Sequence, residues 1–245
     1  MLKIQNLKKY FGGVKAVDNC NFQIKKGKIT ALIGPNGSGK TTVFNLISGV
    51  LKTENGKIIL GNQDITNLPA EKISNLGISR IFQQSRLFNN LTIKENMNLA
   101  LNNNDLKFWK SFFETNSITQ KDETRIIDIL KLFKMNIHEG KYARSLSYGQ
   151  KRLVEIGRAI IKPHNLLMLD EPVAGVTPLL RKELAQVLLK LKKQGETIFI
   201  IEHDMNFIID LADEIIVMDE GKVIANGKPA QIKNNKRVLE AYLGE

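Results

Sequence analysis

The chain has 245 residues with 36 Lys+Arg against 25 Asp+Glu, a formal net charge of +11, and is 42% hydrophobic and 25% charged. That balance belongs to a globular protein with a sizeable core and excludes global disorder, while the lack of an internal repeat excludes collagen-like and solenoid folds. No apolar run approaches the ~18 residues of a membrane helix. The opening MLKIQNLKKYFGG has no apolar stretch of the secretory kind, and the single Cys20 cannot close an internal disulfide. A soluble, cytosolic chain is therefore expected. The lysines are scattered (Lys8, Lys9, Lys25, Lys26, Lys192, Lys193) with no run of five. This suits a solvated surface and leaves nucleic acid or an anionic membrane face open as partners.

The first part of the chain reads as strands and turns. KITALI (28–33) is an apolar, β-branched strand that stops at Gly34, and TTVFNLISGVL (41–51) follows with a helical pattern. KIILGNQDI (57–65) predicts a hairpin through Gly61-Asn62, and GISRIF (77–82) another short strand. From about residue 88 the character changes. Thr92 and Glu95 have capping-box spacing ahead of MNLAL, ETNSITQKDET (114–124) is loop-like, and IIDILKLF (126–133) is a buried helix. SYGQKRLVEIGRAII puts Leu153, Ile156, Gly157, Ile160 and Ile161 on one helical face. After Pro163 strands and helices alternate again: NLLMLD, a helix over 178–193, TIFII, a helix over 204–212, and EIIVMDEGKVIA as a hairpin through Glu220-Gly221. Strand–helix alternation on both sides of a helical stretch implies a mostly parallel sheet interrupted by an inserted helical subdomain. The resulting division is a core over 1–88, a helical insertion over 89–160 and a second core part over 161–245.

The chemistry begins at Gly34-Pro35-Asn36-Gly37-Ser38-Gly39-Lys40-Thr41, with Thr42 following. This is the eight-residue P-loop pattern, and it has a strand before it and a helix after it. Glycines let successive backbone N–H groups turn inward around a polyphosphate, and the helix adds the positive end of its dipole. Lys40 would reach the β- and γ-phosphates and the Thr41 hydroxyl would ligate Mg²⁺. NLLMLDE supplies a buried strand ending in Asp170-Glu171. An acid at the carboxyl edge of a parallel strand lies beside such a loop, where Asp170 can hold Mg²⁺ through water. Glu171 projects differently and is free to orient or deprotonate an attacking water. LSYGQ (146–150) precedes the amphipathic helix, with Ser147 as N-cap and Gln150 as its capping-box partner. The same turn points backbone N–H groups and a hydroxyl outward, and Gly149 allows close approach by a phosphate.

With these segments in order, the chain resembles the ATP-binding cassette family along essentially its whole length. GPNGSGKT resembles that family's phosphate loop, LLMLDE its Mg²⁺ strand with the catalytic glutamate, and LSYGQ its signature, with Tyr148 where glycine is commoner. Gln83 is similar to its Q-loop glutamine, His203 in IIEHD to its switch histidine, and Phe11 to the aromatic that stacks on adenine, with Tyr10 as the alternative. AGVTP (174–178) stands at the D-loop, with Thr177 where an acid or asparagine is often found. The expected fold is thus α/β: a P-loop NTPase core with N-terminal antiparallel strands and an inserted helical subdomain.

The resemblance implies an ATPase that uses ATP and Mg²⁺. In it Glu171 is general base, His203 contacts the γ-phosphate, and Gln83 ligates Mg²⁺ and water. It also implies a head-to-tail dimer, of identical chains or close paralogues, in which the phosphate loop of one subunit faces Ser147, Tyr148, Gly149 and Gln150 of the other. Such a pair docks on two integral membrane permease subunits at the cytoplasmic face of the membrane, served by an extracytoplasmic substrate-binding protein. Phe108, Trp109, Phe112 and Phe113 either line that contact or pack the insertion's own core. FGGVKAV, ISRIFQQSRLF, LSYGQKRLVEIGRAI, IIEHDM and RVLEAYLGE resemble the subunits that energise branched-chain amino-acid uptake. The lipopolysaccharide-export ATPases share much of this wording. A soluble cassette ATPase acting on nucleic acid or as an assembly scaffold is the other class: the +11 charge favours it, while the short insertion without sustained heptads argues against nucleic acid.

Overall fold

The computed structural model describes residues 1–81, 87–101 and 119–243. Among these described residues, ten strands form two sheets. β1 (Leu2–Phe11), β2 (Val14–Ile24), β4 (Asn55–Leu60) and β5 (Gln63–Asp64) make an antiparallel sheet in the order β2-β1-β4-β5. β3 (Ile29–Ile33), β6 (Ile78–Ile81), β7 (Leu166–Asp170), β8 (Ile198–Ile201), β9 (Glu214–Asp219) and β10 (Lys222–Gly227) make the second, in the order β10-β9-β3-β8-β7-β6. In it β9, β3, β8 and β7 run parallel to their neighbours, and β10 closes the edge as an antiparallel hairpin partner of β9. Every residue of β3, β7 and β8 is buried, as strands covered on both faces must be.

Among the helices, α1 (Lys40–Ile47) follows β3 and α2 (Ala70–Asn75) precedes β6. The helical stretch holds α3 (Ile93–Leu101), α4 (Gln120–Leu132) and α5 (Tyr148–Ile161). α6 (Pro178–Lys193) follows β7, α7 (Met205–Leu211) follows β8, and α8 (Pro229–Lys233) and α9 (Lys236–Leu243) end the described chain. α1 stops earlier than the 41–51 pattern suggests. Ser48 is its C-cap and Gly49 takes φ +72°, the left-handed residue that ends a helix. α4 starts earlier than the predicted 126. The Thr119 hydroxyl accepts from the Asp122 N–H at 3.2 Å and caps a first turn carrying Asp122 and Glu123, so a segment polar enough to read as loop is helical.

The chain divides into two compact units, Met1–Arg80 with His164–Pro172 and Leu188–Glu245, and Ile81–Pro163 with Val173–Val187. Val173–Val187 follows the Asp170 strand in sequence but belongs by contact to the helical unit, a non-local grouping that a linear division does not contain. In the first unit both sheets and α1 share one core. Phe199 of β8 lies 4.8 Å from the Phe44 ring of α1 and 5.9 Å from Phe22 of β2. In the second, α3, α4 and α5 meet at Gly157, where an added Cβ would stand 3.2 Å from Ile129 and 3.3 Å from Met97.

Asp213, just before β9, ties the start of β3 to α6. Its carboxylate accepts from the Ile29 N–H at 3.0 Å and from Lys192 at 3.2 Å, with Lys28 at 3.6 Å. Burial opposes its ionisation, but the Ile29 N–H and the Lys192 and Lys28 ammonium groups together hold its pKa below the ordinary carboxylate value. A depressed folded-state pKa contributes stability above the ordinary carboxylate range, and that contribution is lost as pH falls through the depressed value. Asp213→Asn should therefore lower the unfolding midpoint at neutral pH, with the deficit shrinking toward about pH 3. Thermal melts across pH check this. Phe199→Ala, which removes the ring shared by two sheets and α1, should cost about 3–5 kcal/mol in denaturant unfolding.

Candidate functional site

β3, β8 and β7 are adjacent and parallel, with Leu32 opposite Ile201 and Ile201 opposite Asp170. Their carboxyl ends therefore leave the sheet at one edge, which is where open α/β sheets bind ligands. The phosphate loop leaves β3 there, Asp170-Glu171 ends β7, and Glu202-His203 ends β8.

The loop has its shape because of its glycines. Gly34 takes φ +148°, and a Cβ on it would lie 2.0 Å from the Met218 carbonyl oxygen. Gly39, at φ +99°, would meet the Ala16 carbonyl oxygen at 2.1 Å. No L side chain fits either place. The Glu220-Gly221 turn braces the loop from the other side: the Gly221 N–H donates to the Ser38 carbonyl at 3.2 Å, while the Gly221 carbonyl accepts from the Asp18 N–H and the Cys20 thiol. Burial pushes that thiol up to about 11, so it stays protonated and inert.

A cavity of about 590 Å³ opens on this loop. Asn36, Gly37, Gly39, Lys40, Thr41 and Thr42 line one end, Glu171 faces it, and Val14, Lys15, Ala16, Asp18, Glu220 and Lys222 line the rest. The Lys40 side chain is folded into the loop, its Nζ donating to the Gly34 and Pro35 carbonyls at 2.7 Å each and to Ser38 Oγ at 3.4 Å. A largely buried ammonium on a glycine-rich loop at a helix N-terminus is the kind of place that attracts phosphate. Phe11 is 46% exposed at the end of β1, opposite Val14 in register, with the Lys9 ammonium 5.2 Å from its ring. It is not itself among the lining residues. The Tyr10 hydroxyl donates to Asp18 at 2.9 Å, and that bond, with some burial and the charges of Asp18 and Glu54, raises the phenol's pKa.

Glu171 stands at φ +46°, in the left-handed region that a glutamate rarely occupies, and its N–H donates to the Ile201 carbonyl at 3.0 Å. The strand pairing thus forces the backbone to reverse immediately after Asp170 and sends the two neighbouring carboxylates different ways. His203 is exposed, with Nδ1 4.0 Å from Glu171 Oε1 and 3.9 Å from Glu202 Oε2, and its N–H donates to Glu202 at 3.3 Å. Asp170 is 4% exposed, and Arg80 NH2 reaches its Oδ2 at 3.0 Å. Neither Arg80 nor the fully buried Glu202 was picked out by the sequence reading. The signal for Arg80 was present: a cation inside the apolar strand ISRI has to find an anion.

Oxygen donors suit Mg²⁺, and the residues here offer the Thr41 hydroxyl and the Asp170 carboxylate. A hydroxyl and one carboxylate are the kind of donor set with which Mg²⁺ is held together with substrate phosphates.

LSYGQ lies in the second unit. Ser147 caps α5 as the spacing predicts: its Oγ accepts from the Gln150 N–H at 3.3 Å and its N–H donates to Gln150 Oε1 at 3.0 Å. Tyr148 is 54% exposed, and its ring packs on Gly175 of the AGVTP loop. At Gly149 the space a Cβ would take is filled by Leu180, so this glycine also serves close packing. Thr177 uses its hydroxyl locally, accepting from the Leu180 N–H at 3.4 Å at the start of α6. Gln83 and the aromatics Phe108, Trp109, Phe112 and Phe113 lie outside the described residues.

A family model described as ABC transporter matches residues 17–174, a span that runs from β2 through the phosphate loop and LSYGQ to just past Glu171. The chain belongs to the ABC transporter family. It is one of the family's nucleotide-binding ATPases, an α/β cassette with antiparallel N-terminal strands and a helical insert. A second model, described as branched-chain amino acid ATP-binding cassette transporter, matches residues 222–245. Over its full length the chain is 40% identical to LivG of Archaeoglobus fulgidus, a probable branched-chain amino acid transport ATP-binding protein, covering 95% of that protein. It is 38% identical to LivG of Escherichia coli, a high-affinity branched-chain amino acid transport ATP-binding protein, covering 98% of it. Among solved structures, a nucleotide-free ATP-binding cassette from an ABC transporter superimposes with a TM-score of 0.87 at 35% identity, covering all of this chain and 99% of that one. A dimeric bacterial ABC transporter cassette superimposes at 0.78 with 26% identity, over 94% of this chain and 99% of that one.

Gly39→Ala should abolish nucleotide binding in calorimetry, because the loop cannot close with a methyl group 2.1 Å from a carbonyl oxygen. An alanine at exposed Gly61, in the β4–β5 turn and with open space around its Cβ position, should leave binding unchanged.

Proposed function

We propose that this chain is the ATP-hydrolysing subunit of a membrane transporter for branched-chain amino acids, working as a pair of copies beneath separate integral membrane subunits. The observation that carries the chemistry is the common edge at which Lys40, Asp170, Glu171 and His203 leave three parallel strands. The cargo rests on the two LivG relatives and on the match of residues 222–245, which favours amino acids over lipopolysaccharide export. No described helix is long and apolar enough to cross a membrane, so the membrane path has to come from partner chains. Those partners place this subunit at the cytoplasmic face, and uptake calls for an extracytoplasmic substrate-binding protein.

In this reading the N–H groups of Asn36–Thr42 and the Lys40 ammonium hold the β- and γ-phosphates. Val14, Ala16 and the nearby Phe11 offer apolar surface to the adenine. Thr41 and Asp170 would hold Mg²⁺, which neutralises charge on the phosphates when bound. Glu171 takes a proton from water as the water oxygen bonds to the γ-phosphorus, and the bond to the β-phosphate oxygen breaks to release ADP. His203, beside Glu171 and exposed, positions the γ-phosphate and the water, with Gln83 as a further ligand. Ser147, Tyr148, Gly149 and Gln150 of one copy complete the phosphate site of the other. Loss of the γ-phosphate contact then lets the pair open.

Glu171→Gln should bind ATP, lose about 100-fold or more in turnover and accumulate as an ATP-bound dimer, read by phosphate release and light scattering. Wild-type turnover in that variant would sink the assignment. Lys40→Ala should lose ATP binding itself, because it removes the ammonium folded inside the loop.

A further inference from the structure

Arg80 is largely buried, its side chain 6% exposed, and its guanidinium joins two elements that the proposed cation site needs in fixed relation. One arm, NH1, donates to Asn45 Oδ1 and Ser48 Oγ, both at 2.7 Å, in the last turn and C-cap of α1. The other, NH2, donates to Asp170 Oδ2 at 3.0 Å at the end of β7. The face of the group lies 5.6 Å from the Phe44 ring, which closes it off from water. Thr41 is on the first turn of that same α1, so the helix carrying one oxygen donor is tied at its far end to the carboxylate that is the other. Ser48 is itself fixed, donating to the Phe44 carbonyl at 2.8 Å.

We infer that Arg80 is a positioning residue for the divalent cation: it aims the Asp170 carboxylate and sets its distance from the phosphate helix. Two features of the geometry support this over a purely structural ion pair. Arg80 meets the carboxylate at Oδ2 by a charged hydrogen bond, which fixes its orientation as well as its place. The anchors of the guanidinium are uncharged groups on the nucleotide-binding helix, so the cation's charge is directed at Asp170 alone of these three partners. Guanidinium geometry matters because a planar fork reaches three acceptors in two directions, which a lysine ammonium does on a flexible stem without fixing their angles.

The inference rests on Asp170 holding the metal, and the test separates the two. The full chain is loaded with a non-hydrolysable ATP analogue, Mn²⁺ affinity is read by electron paramagnetic resonance, and metal-free analogue affinity by calorimetry. Arg80→Gln should weaken Mn²⁺ binding by about tenfold or more while metal-free analogue affinity stays at the wild-type value, since groups that orient a metal ligand typically act on that scale. Arg80→Lys should recover part of the loss. Ser48→Ala removes one anchor without stranding the buried carboxylate and should move Mn²⁺ affinity the same way by a smaller factor. It decides the matter should Arg80→Gln not fold. Unchanged Mn²⁺ affinity in the folded variants, or an equal fall in metal-free affinity, overturns the inference. Asp170→Asn is the control. If it binds Mn²⁺ like wild type, the metal role of Asp170 fails, and with it the ground for Arg80; if it is impaired and Arg80→Gln is not, only the role of Arg80 fails.

Discussion

Parallel pairing of β3, β8 and β7 is the constraint on which the functional site depends. Residues from positions 34 to 41, 170 to 171 and 202 to 203 are brought together because three strands end in register at the same edge. The strands can lie there only because they are apolar on both faces and covered on both, and the covering is done in part by α1, the helix that follows the phosphate loop. Core packing and site assembly are therefore the same event: the Phe44–Phe199 contact that seats α1 on the sheet also seats the helix whose first residues are Lys40 and Thr41.

Electrostatics at this edge is arranged in buried or half-buried pairs rather than by the overall charge. The net charge is +11, and individual lysines meet acids in pairs near the surface such as Lys25–Glu214 and Lys9–Glu54, each worth little on its own. Arg80 with Asp170 is of another kind, because both groups are withdrawn from water and removing one would leave the other uncompensated. Lys40 is withdrawn as well, and its ammonium donates to the Gly34 and Pro35 carbonyls of the loop itself.

Backbone conformation divides the labour between neighbouring residues. Asp170 completes β7 and stays buried, while Glu171, one residue on, adopts φ +46° and turns toward the cavity. The strain of a left-handed glutamate is held by its N–H bond to Ile201 of the adjacent strand. Under the proposed mechanism, this lets the metal-binding acid and the general base be consecutive in sequence without sharing a role. In the helical unit the LSYGQ turn is likewise over-determined, by the Ser147–Gln150 capping box and by Tyr148 against Gly175.

The amino-acid sequence alone was sufficient for the fold class, the hairpins at Gly61-Asn62 and Glu220-Gly221, the Ser147 cap and the phosphate loop. Each of these depends on residues close together in the chain, where glycine, capping side chains and hydrophobic period act directly on the backbone. Helix limits were less legible: α4 extends back to Gln120 because a cap at Thr119 outweighs a polar composition, and α1 stops at Ile47 because the left-handed φ of Gly49, not hydrophobicity, ends it. What only the tertiary structure decided is every partnership between distant segments. Arg80 finding Asp170 ninety residues away, Gly221 bracing Ser38, Gly149 yielding its space to Leu180, and Val173–Val187 joining the helical unit are such cases. The physical reason is that a side chain's own chemistry states what kind of partner it requires, whereas strand order and packing determine which residue is there to meet it.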